Sequence, residues 1–305
     1  MLRLSALVLL ATSACAQTPK PDATASDRDR RADSVVTRPS GAEVQSVELD
    51  FGGPDRPFRS VDTLRVRAGE TAVGVVVHRV DRPGAPGQPA APLFNALNLH
   101  DDEGTSVDAA LAVARETGGR VVELVHTGDR NLTFAAGGRR YVADPNRMFT
   151  EAGRRRTLDA LSAADPAGLD ALAALADAVL AVYTEVRPPV VVTLHNNTEG
   201  RYSARSYAPG ADYAGDAAAV TVHDGTDPDD FFFVTSRPLY DALVARGFNA
   251  VLQDNAAATD DGSLSVWAAR EGVPYVNVEA QHGHAAEQAR MIRALVEVLE
   301  EAEEE

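Results

Sequence analysis

The sequence predicts an α/β fold, with a mixed, largely parallel twisted sheet, helices on both faces, and a short β segment in front. The 305-residue chain is long enough to bury one sizeable core of this kind. From about residue 93 onwards, nearly continuous apolar runs alternate with helical stretches, as expected for strands that are buried on both faces. Between 47 and 80, polar and apolar residues alternate instead, which indicates strands with one exposed face.

The first ten residues, MLRLSALVLL, carry one positive charge at Arg3 and an apolar run too short to span a bilayer. They predict a signal peptide over 1–15 and therefore export to the periplasm or cell envelope. Thr12–Cys15 resembles a lipoprotein cleavage site and favours a lipid anchor at Cys15. The alternative is an Ala-x-Ala cleavage that removes this end and releases a soluble protein. No later segment is expected to cross a membrane, so the anchor would be the only membrane contact.

Three further segments follow the leader. Residues 16–45 are rich in Thr, Asp, Ser, Arg and Pro without apolar periodicity, which predicts a disordered tether. Residues 46–92 are predicted to form a β-rich N-terminal segment of two or three strands and a loop dense in Pro and Gly over 81–92. Residues 93–305 form the main domain, which ends in an acidic helix.

The elements of the main domain are predicted from apolar periodicity and glycine or proline boundaries. The expected helices are 105–119, a long stretch over 154–183, and a helix from Ala285. The expected strands are LFNALNLH (93–100), RVVELVHT, NLTFAA, PPVVVTLH (188–195), AAVTVHD, DFFFVTS, FNAVLQD and VPYVNVEA.

Charge and cysteine content limit the partners and the metal chemistry. A net charge of −16 argues against nucleic acid, because phosphate binding needs basic patches. Cys15 is the single cysteine, so the folded part has no intrachain disulfide and no thiolate metal site. Any metal must therefore be held by His, Asp and Glu.

Polar residues follow the predicted strands at the edge where open α/β sheets bind ligands. His100 and Glu103 come directly after the strand 93–100, and His195 ends the strand 188–195. Two histidines and one carboxylate leave a coordination position open for water, as hydrolytic zinc sites require. Taken singly, a carboxylate that caps the following helix and a structural histidine remain alternative interpretations.

Two further strand-end groups could handle a substrate. Arg147 can grip a carboxylate with two parallel hydrogen bonds, and Asn146 can add a directional one. Glu279 ends an apolar strand, where burial would raise its pKa towards a value useful for a general base. The alternatives are a local turn capped by Asp144 and a glutamate satisfied by a neighbouring arginine.

In chain order, H-x-x-E, D-x-N-R-x-F, a strand-ending His and a late strand-ending Glu resemble the zinc carboxypeptidase superfamily. The pattern is closest to the succinylglutamate desuccinylase/aspartoacylase branch and covers roughly residues 93 to 297. The resemblance implies a zinc carboxypeptidase-like fold and a zinc site made of His100, Glu103 and His195. One departure is that both residues inside the first motif, Asp101 and Asp102, are acidic, where the family often has a small residue.

The resemblance also assigns the remaining roles. Asn146 and Arg147 would bind the substrate carboxylate, and Glu279 would be the catalytic base. An upstream arginine would polarise the scissile carbonyl, and Arg139 is preferred over Arg140 for this role.

These assignments lead us to expect an exported zinc hydrolase that cleaves an amide or peptide bond next to a carboxylate-bearing group. Its location favours peptidoglycan peptides, scavenged peptides or N-acyl amino acids as substrates, with muropeptides first. One alternative is a non-catalytic, surface-anchored binding lipoprotein that retains the fold. Another is a metalloenzyme of a different fold with His282 and His284 as ligands.

Overall fold

A ten-stranded sheet is the centre of the computed structural model, which describes residues 43–49, 59–82 and 94–304. A separate two-stranded sheet is formed by β6 (Leu132–Ala136) and β7 (Arg139–Ala143). The strands of the large sheet are β1 (Glu43–Leu49), β2 (Arg59–Ala68), β3 (Thr71–Val80), β4 (Asn95–Asn98), β5 (Gly119–Val125), β8 (Val191–Asn197), β9 (Ala217–Thr221), β10 (Phe231–Val234), β11 (Ala250–Gln253) and β12 (Tyr275–Gln281).

The strand order in the large sheet is β1-β2-β3-β5-β4-β8-β12-β10-β11-β9. The four central strands, β5, β4, β8 and β12, pair in parallel, as do β10 and β11. The other pairs are antiparallel, including β3 with β5, which joins the N-terminal strands to the same sheet. The predicted mixed sheet is therefore confirmed, and it is largely parallel over 94–304.

Helices cover both faces of this sheet. They are α1 (Gly104–Thr117), α2 (Glu151–Leu161), α3 (Pro166–Tyr183), α4 (Arg237–Ala245), α5 (Leu264–Glu271) and α6 (Ala285–Glu304). Adjacent residues of β8 show the division, because Val191 packs in one core with α2, α3 and α5. Val192 packs in the other core with α1, α4 and α6. This alternation is the period of a strand that is buried on both faces.

The helix predicted over 154–183 is in fact two helices, α2 and α3. The chain leaves the helical path after Leu161, and Asp165 begins the second helix by accepting a hydrogen bond from the Gly168 amide. Pro166 stands at the first helical position, where its missing N–H costs nothing. The Asp-Pro pair is a local helix start signal, which apolar periodicity alone does not reveal.

The stretch Pro166–Val186, which contains α3, is long and apolar enough to cross a membrane by length and composition. The expectation that no segment after the leader has this property is therefore wrong. Leu172, Leu175 and Val179 on α3 are fully buried in the core beneath the sheet. Their burial against the sheet identifies α3 as a core helix.

Some predictions fall outside the described residues. The signal peptide at 1–15, with Cys15, lies there, and so does the tether as far as residue 42. Strand β1 begins at Glu43, inside the range predicted as tether. Most of the loop predicted at 81–92 also lies outside them. The sequence prediction missed β7, α4 and α5, which are short or follow irregular connections.

The strand order brings the predicted site residues to one edge. The parallel strands β4, β8 and β12 are neighbours, so their carboxyl ends lie side by side. Glu279 on β12 is directly paired with His195 on β8. His100 comes two residues after the end of β4, on the other side of β8.

Candidate metal centre and pocket

Three side chains converge at the carboxyl ends of β4 and β8: His100, Glu103 and His195. The Nδ1 atoms of the two histidines are 3.1 Å apart. The Glu103 carboxylate lies 2.8 Å from the His100 Nδ1 atom through Oε1 and 2.9 Å from the His195 Nδ1 atom through Oε2. All three side chains are buried, and they form a group that could hold a metal ion.

The local structure explains why Glu103 reaches this point. It occupies the position before α1, yet its side chain makes no cap hydrogen bond with the helix. The chain turns between His100 and Glu103, with the Glu103 amide donating to the His100 carbonyl oxygen at 3.1 Å. The helix-cap interpretation of Glu103 is therefore wrong, and its carboxylate faces the two histidines.

His195 is held at the end of β8 by a buried polar network. Gln288 on α6 donates from Nε2 to the His195 carbonyl oxygen at 3.0 Å and accepts from Asn196 Nδ2 at 2.9 Å. The Oδ1 atom of Asn196 accepts from the Ser106 amide at the start of α1. These bonds hold the end of β8 against α1 and α6 and so fix the backbone of His195, whose ring contacts Glu103.

Two residues of the predicted D-x-N-R-x-F motif, Asp144 and Asn146, contact the Nε2 atoms of His100 and His195. His100 Nε2 lies 2.9 Å from Asp144 Oδ1, which fixes the ring with Nδ1 directed at Glu103. Asn146 Nδ2 is 3.3 Å from His195 Nε2, while the buried Asn146 Oδ1 has no partner among the described residues. Turning this amide over would let Oδ1 accept from the Nε2–H of a neutral His195, and amide orientations are assigned from such networks.

The charges in this cluster are strongly coupled. Burial alone would lower the pKa of His100, but the charges of Glu103 and Asp144 outweigh it and raise that pKa to about 9. Burial would raise the pKa of Glu103, but the two histidines hold it well below its ordinary value. Burial lowers the pKa of His195, so this imidazole favours the neutral form that binds metals.

The donor set fits zinc. Zinc is bound in proteins by imidazole nitrogen and carboxylate oxygen, and a second carboxylate often orients one histidine, as Asp144 does here. The separations of 2.8 to 3.1 Å between the donor atoms approach the roughly 3.3 Å between ligand atoms of tetrahedral zinc. A divalent cation would also replace the proton that His100 otherwise holds against Glu103.

A cavity of about 680 Å³ opens beside this cluster. Glu103 and His195 form part of its wall, and Glu279 lies on the wall next to His195. A cavity of this size suits a small peptide or an amino acid derivative. Other lining residues include Arg130, Asn146, Arg147, Arg156, Asn197, Tyr202, Tyr207, Asp261, Asn277 and His282.

Glu279 is a buried carboxylate, with 4% of its surface exposed. Asn277 Nδ2 donates to its Oε2 atom at 2.9 Å. Burial, with the nearby negative charge of Glu103, raises the pKa of Glu279 to about 8. A carboxylate with such a pKa can accept and return a proton near neutral pH, as a general base does.

Arg147 lines the same cavity and is partly paired. Its Nη1 atom lies 3.3 Å from Asp261 Oδ2 and donates to the carbonyl oxygen of Asn146 at 3.1 Å. Gly153 and Gly262 lock the backbone there, since a Cβ on Gly153 would come 2.1 Å from the Gly262 Cα atom. Arg147 therefore lies next to a closely packed backbone and retains donors that can face a substrate.

Arg139, which was predicted to polarise the scissile carbonyl, lies away from the cavity. It is on the β6–β7 hairpin, its side chain is 60% exposed, and it pairs with Asp165 at 2.5 Å. Arg140 is on the same strand and exposed. A different arginine, Arg130, lines the cavity, and its Nη1 atom donates to Glu103 Oε1 at 2.5 Å. Its signal in the sequence was its place in the loop just beyond the end of β5.

His282 and His284, the ligands of the alternative interpretation, are not part of the group formed by His100, Glu103 and His195. His284 pairs with Asp230 at 2.9 Å and forms, with Asp227, another group of potential ligands in the described part of the chain. This group is partly exposed, and acidic surface clusters of this kind are common without a metal. His282 is exposed on the cavity wall and belongs to neither group.

Comparison with known proteins adds two solved structures. No family model and no curated protein matches the sequence. A succinylglutamate desuccinylase from Vibrio parahaemolyticus superposes with a TM-score of 0.41 at 11% identity, over 87% of this chain and 72% of that chain. The murein-tripeptide amidase MpaA from Escherichia coli O157 gives 0.39 at 16% identity, over 77% and 91%.

The first of these structures bears the name of the branch that the four sequence motifs resemble. Both TM-scores are below 0.5, so nothing about the activity of this chain follows from them.

Proposed function

We propose that this chain is an exported zinc-dependent hydrolase that cleaves an amide or peptide bond next to a carboxylate-bearing group. The observation that carries the proposal is the convergence of His100, Glu103 and His195 beside a cavity that also holds Glu279. Two histidines and a carboxylate are one of the ligand sets found in catalytic zinc sites, and a buried carboxylate next to them can act as the general base.

Zinc held by His100, Glu103 and His195 would supply a Lewis acid and lower the pKa of a water molecule to about 7. Glu279 accepts a proton from the attacking water while the oxygen of that water forms a bond to the carbonyl carbon of the substrate. The same carboxyl group then gives the proton to the amine nitrogen as the carbon–nitrogen bond breaks. Its raised pKa suits both transfers, and Asn277 keeps the carboxylate in one orientation.

Two groups of donors complete the proposed site. Arg130 donates to the carbonyl oxygen as negative charge develops there, which stabilises the transition state more than the ground state. Arg147 and Asn146 hold the carboxylate of the substrate and so fix the scissile bond against Glu279. The segment that carries both residues packs closely against Gly153 and Gly262, which supports this positioning role.

The substrate class is a small peptide or an N-acyl amino acid. The cavity has room for a short peptide, and its wall carries arginines for a carboxylate. Export, predicted from the leader, would bring the protein to peptidoglycan stem peptides first. We therefore propose muropeptides as the leading substrates, with a location in the periplasm or cell envelope and a lipid anchor at Cys15.

The zinc-loaded protein should hydrolyse substrates with a free carboxylate next to the scissile bond. The assay would compare N-acyl amino acids and peptidoglycan stem peptides with their methyl esters and follow release of the amine. We expect the esters to lose about 10- to 100-fold in kcat/KM, because Arg147 then faces no charge. Equal rates would refute the carboxylate requirement. Tight binding of stem peptides without any hydrolysis would favour the binding lipoprotein instead.

Arg130 and Arg139 provide a matched pair of variants. We expect Arg130→Ala to lower kcat by about 100-fold, as loss of a donor to a developing oxyanion does. Arg139→Ala removes the same kind of side chain from an exposed position on the β6–β7 hairpin and should leave kcat within about twofold, like most surface substitutions. An Arg139→Ala variant as impaired as Arg130→Ala would contradict the assignment.

A further inference from the structure

Asp101 lies between the two ligands of the first motif, at a position where the resembled family often has a small residue. Its carboxylate is not part of the group formed by His100, Glu103 and His195. Instead its Oδ2 atom accepts hydrogen bonds from the backbone amides of His126 and Gly128, both at 2.7 Å. A carboxylate that accepts two backbone N–H groups forms charge-assisted bonds, which are stronger than bonds between neutral groups.

These two amides belong to the loop 126–130, which leaves the end of β5. Residues 127–130 are exposed, and Gly128 has a φ of +76°, a left-handed conformation that glycine adopts readily. Thr127 and Asp129 hydrogen-bond to each other within the loop at 2.9 Å. The bonds to Asp101 tie the loop to the segment that carries His100 and Glu103.

Arg130 is the last residue of this loop. Its Nη1 atom reaches Glu103 Oε1 at 2.5 Å, although its side chain is 48% exposed. A half-exposed arginine on a short loop loses conformational freedom when it is held in one place. Anchoring the backbone two and four residues earlier reduces that loss, because fewer torsions then remain to be fixed.

We propose that Asp101 is a positioning residue that fixes the loop 126–130 so that Arg130 faces Glu103 and the cavity. The catalytic consequence rests on the proposed function, in which Arg130 donates to the substrate carbonyl. Asp101 acts through Arg130 and touches neither the substrate nor the reacting atoms. This role also gives a structural reason for an acidic residue at position 101, inside the first motif.

A double-mutant cycle on the zinc-loaded, full-length protein tests this proposal. We expect Asp101→Ala to lower kcat by about 10-fold, with KM and bound zinc unchanged, since a misplaced catalytic group costs rate. In an Arg130→Ala background the same substitution should cost nothing further. Asp101→Asn keeps one acceptor oxygen and should recover part of the rate. Asp108→Ala, on the exposed side of α1, is the control for the same change in net charge.

Amide hydrogen exchange gives a readout that needs no substrate. The His126 and Gly128 amides should exchange at least about tenfold faster in Asp101→Ala than in the wild type, and at the wild-type rate in Arg130→Ala. Unchanged exchange in Asp101→Ala would overturn the proposal, and so would additive losses of kcat in the double mutant. If the wild type binds zinc but hydrolyses nothing, the proposed function fails, and amide exchange alone decides whether Asp101 holds the loop.

Discussion

Replacement of Glu279 by glutamine is expected to lower kcat by about 1,000-fold or more while bound zinc stays at the wild-type level. Glutamine has nearly the same shape and can still bond to Asn277, but it cannot accept the proton of the attacking water. Glu279 is outside the set of ligands formed by His100, Glu103 and His195, so the metal should be retained. Steady-state assays measure kcat, and elemental analysis of the same samples measures bound zinc.

The control for this substitution is Glu271→Gln, which makes the same chemical change at an exposed position at the end of α5. It should behave as the wild type does. A Glu279→Gln variant that is zinc-loaded and still turns over at the wild-type rate would exclude Glu279 as the base. A variant that loses both zinc and activity would mean that Glu279 supports the metal rather than the proton transfer.

Replacement of His195 by alanine should have the second large effect, because it leaves only His100 and Glu103 as ligands. Loss of a residue that only orients a metal ligand costs roughly 10- to 100-fold in metal affinity. Because His195 is itself a ligand, we expect zinc affinity to fall by more than this. Hydrolysis should fall with it, by about 1,000-fold or more at limiting zinc. Zinc should raise the unfolding temperature of the wild type and not that of the variant, because a ligand stabilises only the state that binds it.

His282→Ala is the matched control, since His282 lines the same cavity and belongs to neither group of potential ligands. It should keep the zinc-dependent rise in unfolding temperature. The pattern reversed, with zinc retained in His195→Ala and lost in His284→Ala, would favour the site at Asp227, Asp230 and His284.

The strand-end positions of the candidate site were predictable from the sequence. Apolar runs that end in His100, His195 and Glu279 place these residues at the carboxyl edge of a parallel sheet, where side chains from neighbouring strands meet. The structure brings His195 and Glu279 into register on adjacent strands. Asn146 and Arg147 also line the cavity. Their binding of the substrate carboxylate stays a prediction, which the comparison with methyl esters tests.

The position of Arg130 was not predictable in the same way. Arg139 and Arg140 stand closer in sequence to the D-x-N-R-x-F motif, but the hairpin of β6 and β7 turns them towards solvent. Arg130 reaches the site because a loop anchored by Asp101 folds back over Glu103. Such tertiary contacts leave no periodic signal in the sequence.

Two features of the fold were missed for related reasons. The break between α2 and α3 depends on a cap at Asp165 and a proline, which are local signals inside a strongly apolar and helical pattern. The joining of β3 to β5 depends on a long-range pairing that alternation alone does not specify. The N-terminal strands thereby become part of the same sheet as the candidate site.

The zinc content of the purified protein, measured by elemental analysis, tests the central claim most directly. The convergence of His100, Glu103 and His195 predicts about one zinc per chain, as a single three-residue site binds. A protein that holds no zinc, even after it is reloaded, would contradict the claim. The three side chains would then be a buried, hydrogen-bonded cluster in which Glu103 neutralises a protonated His100.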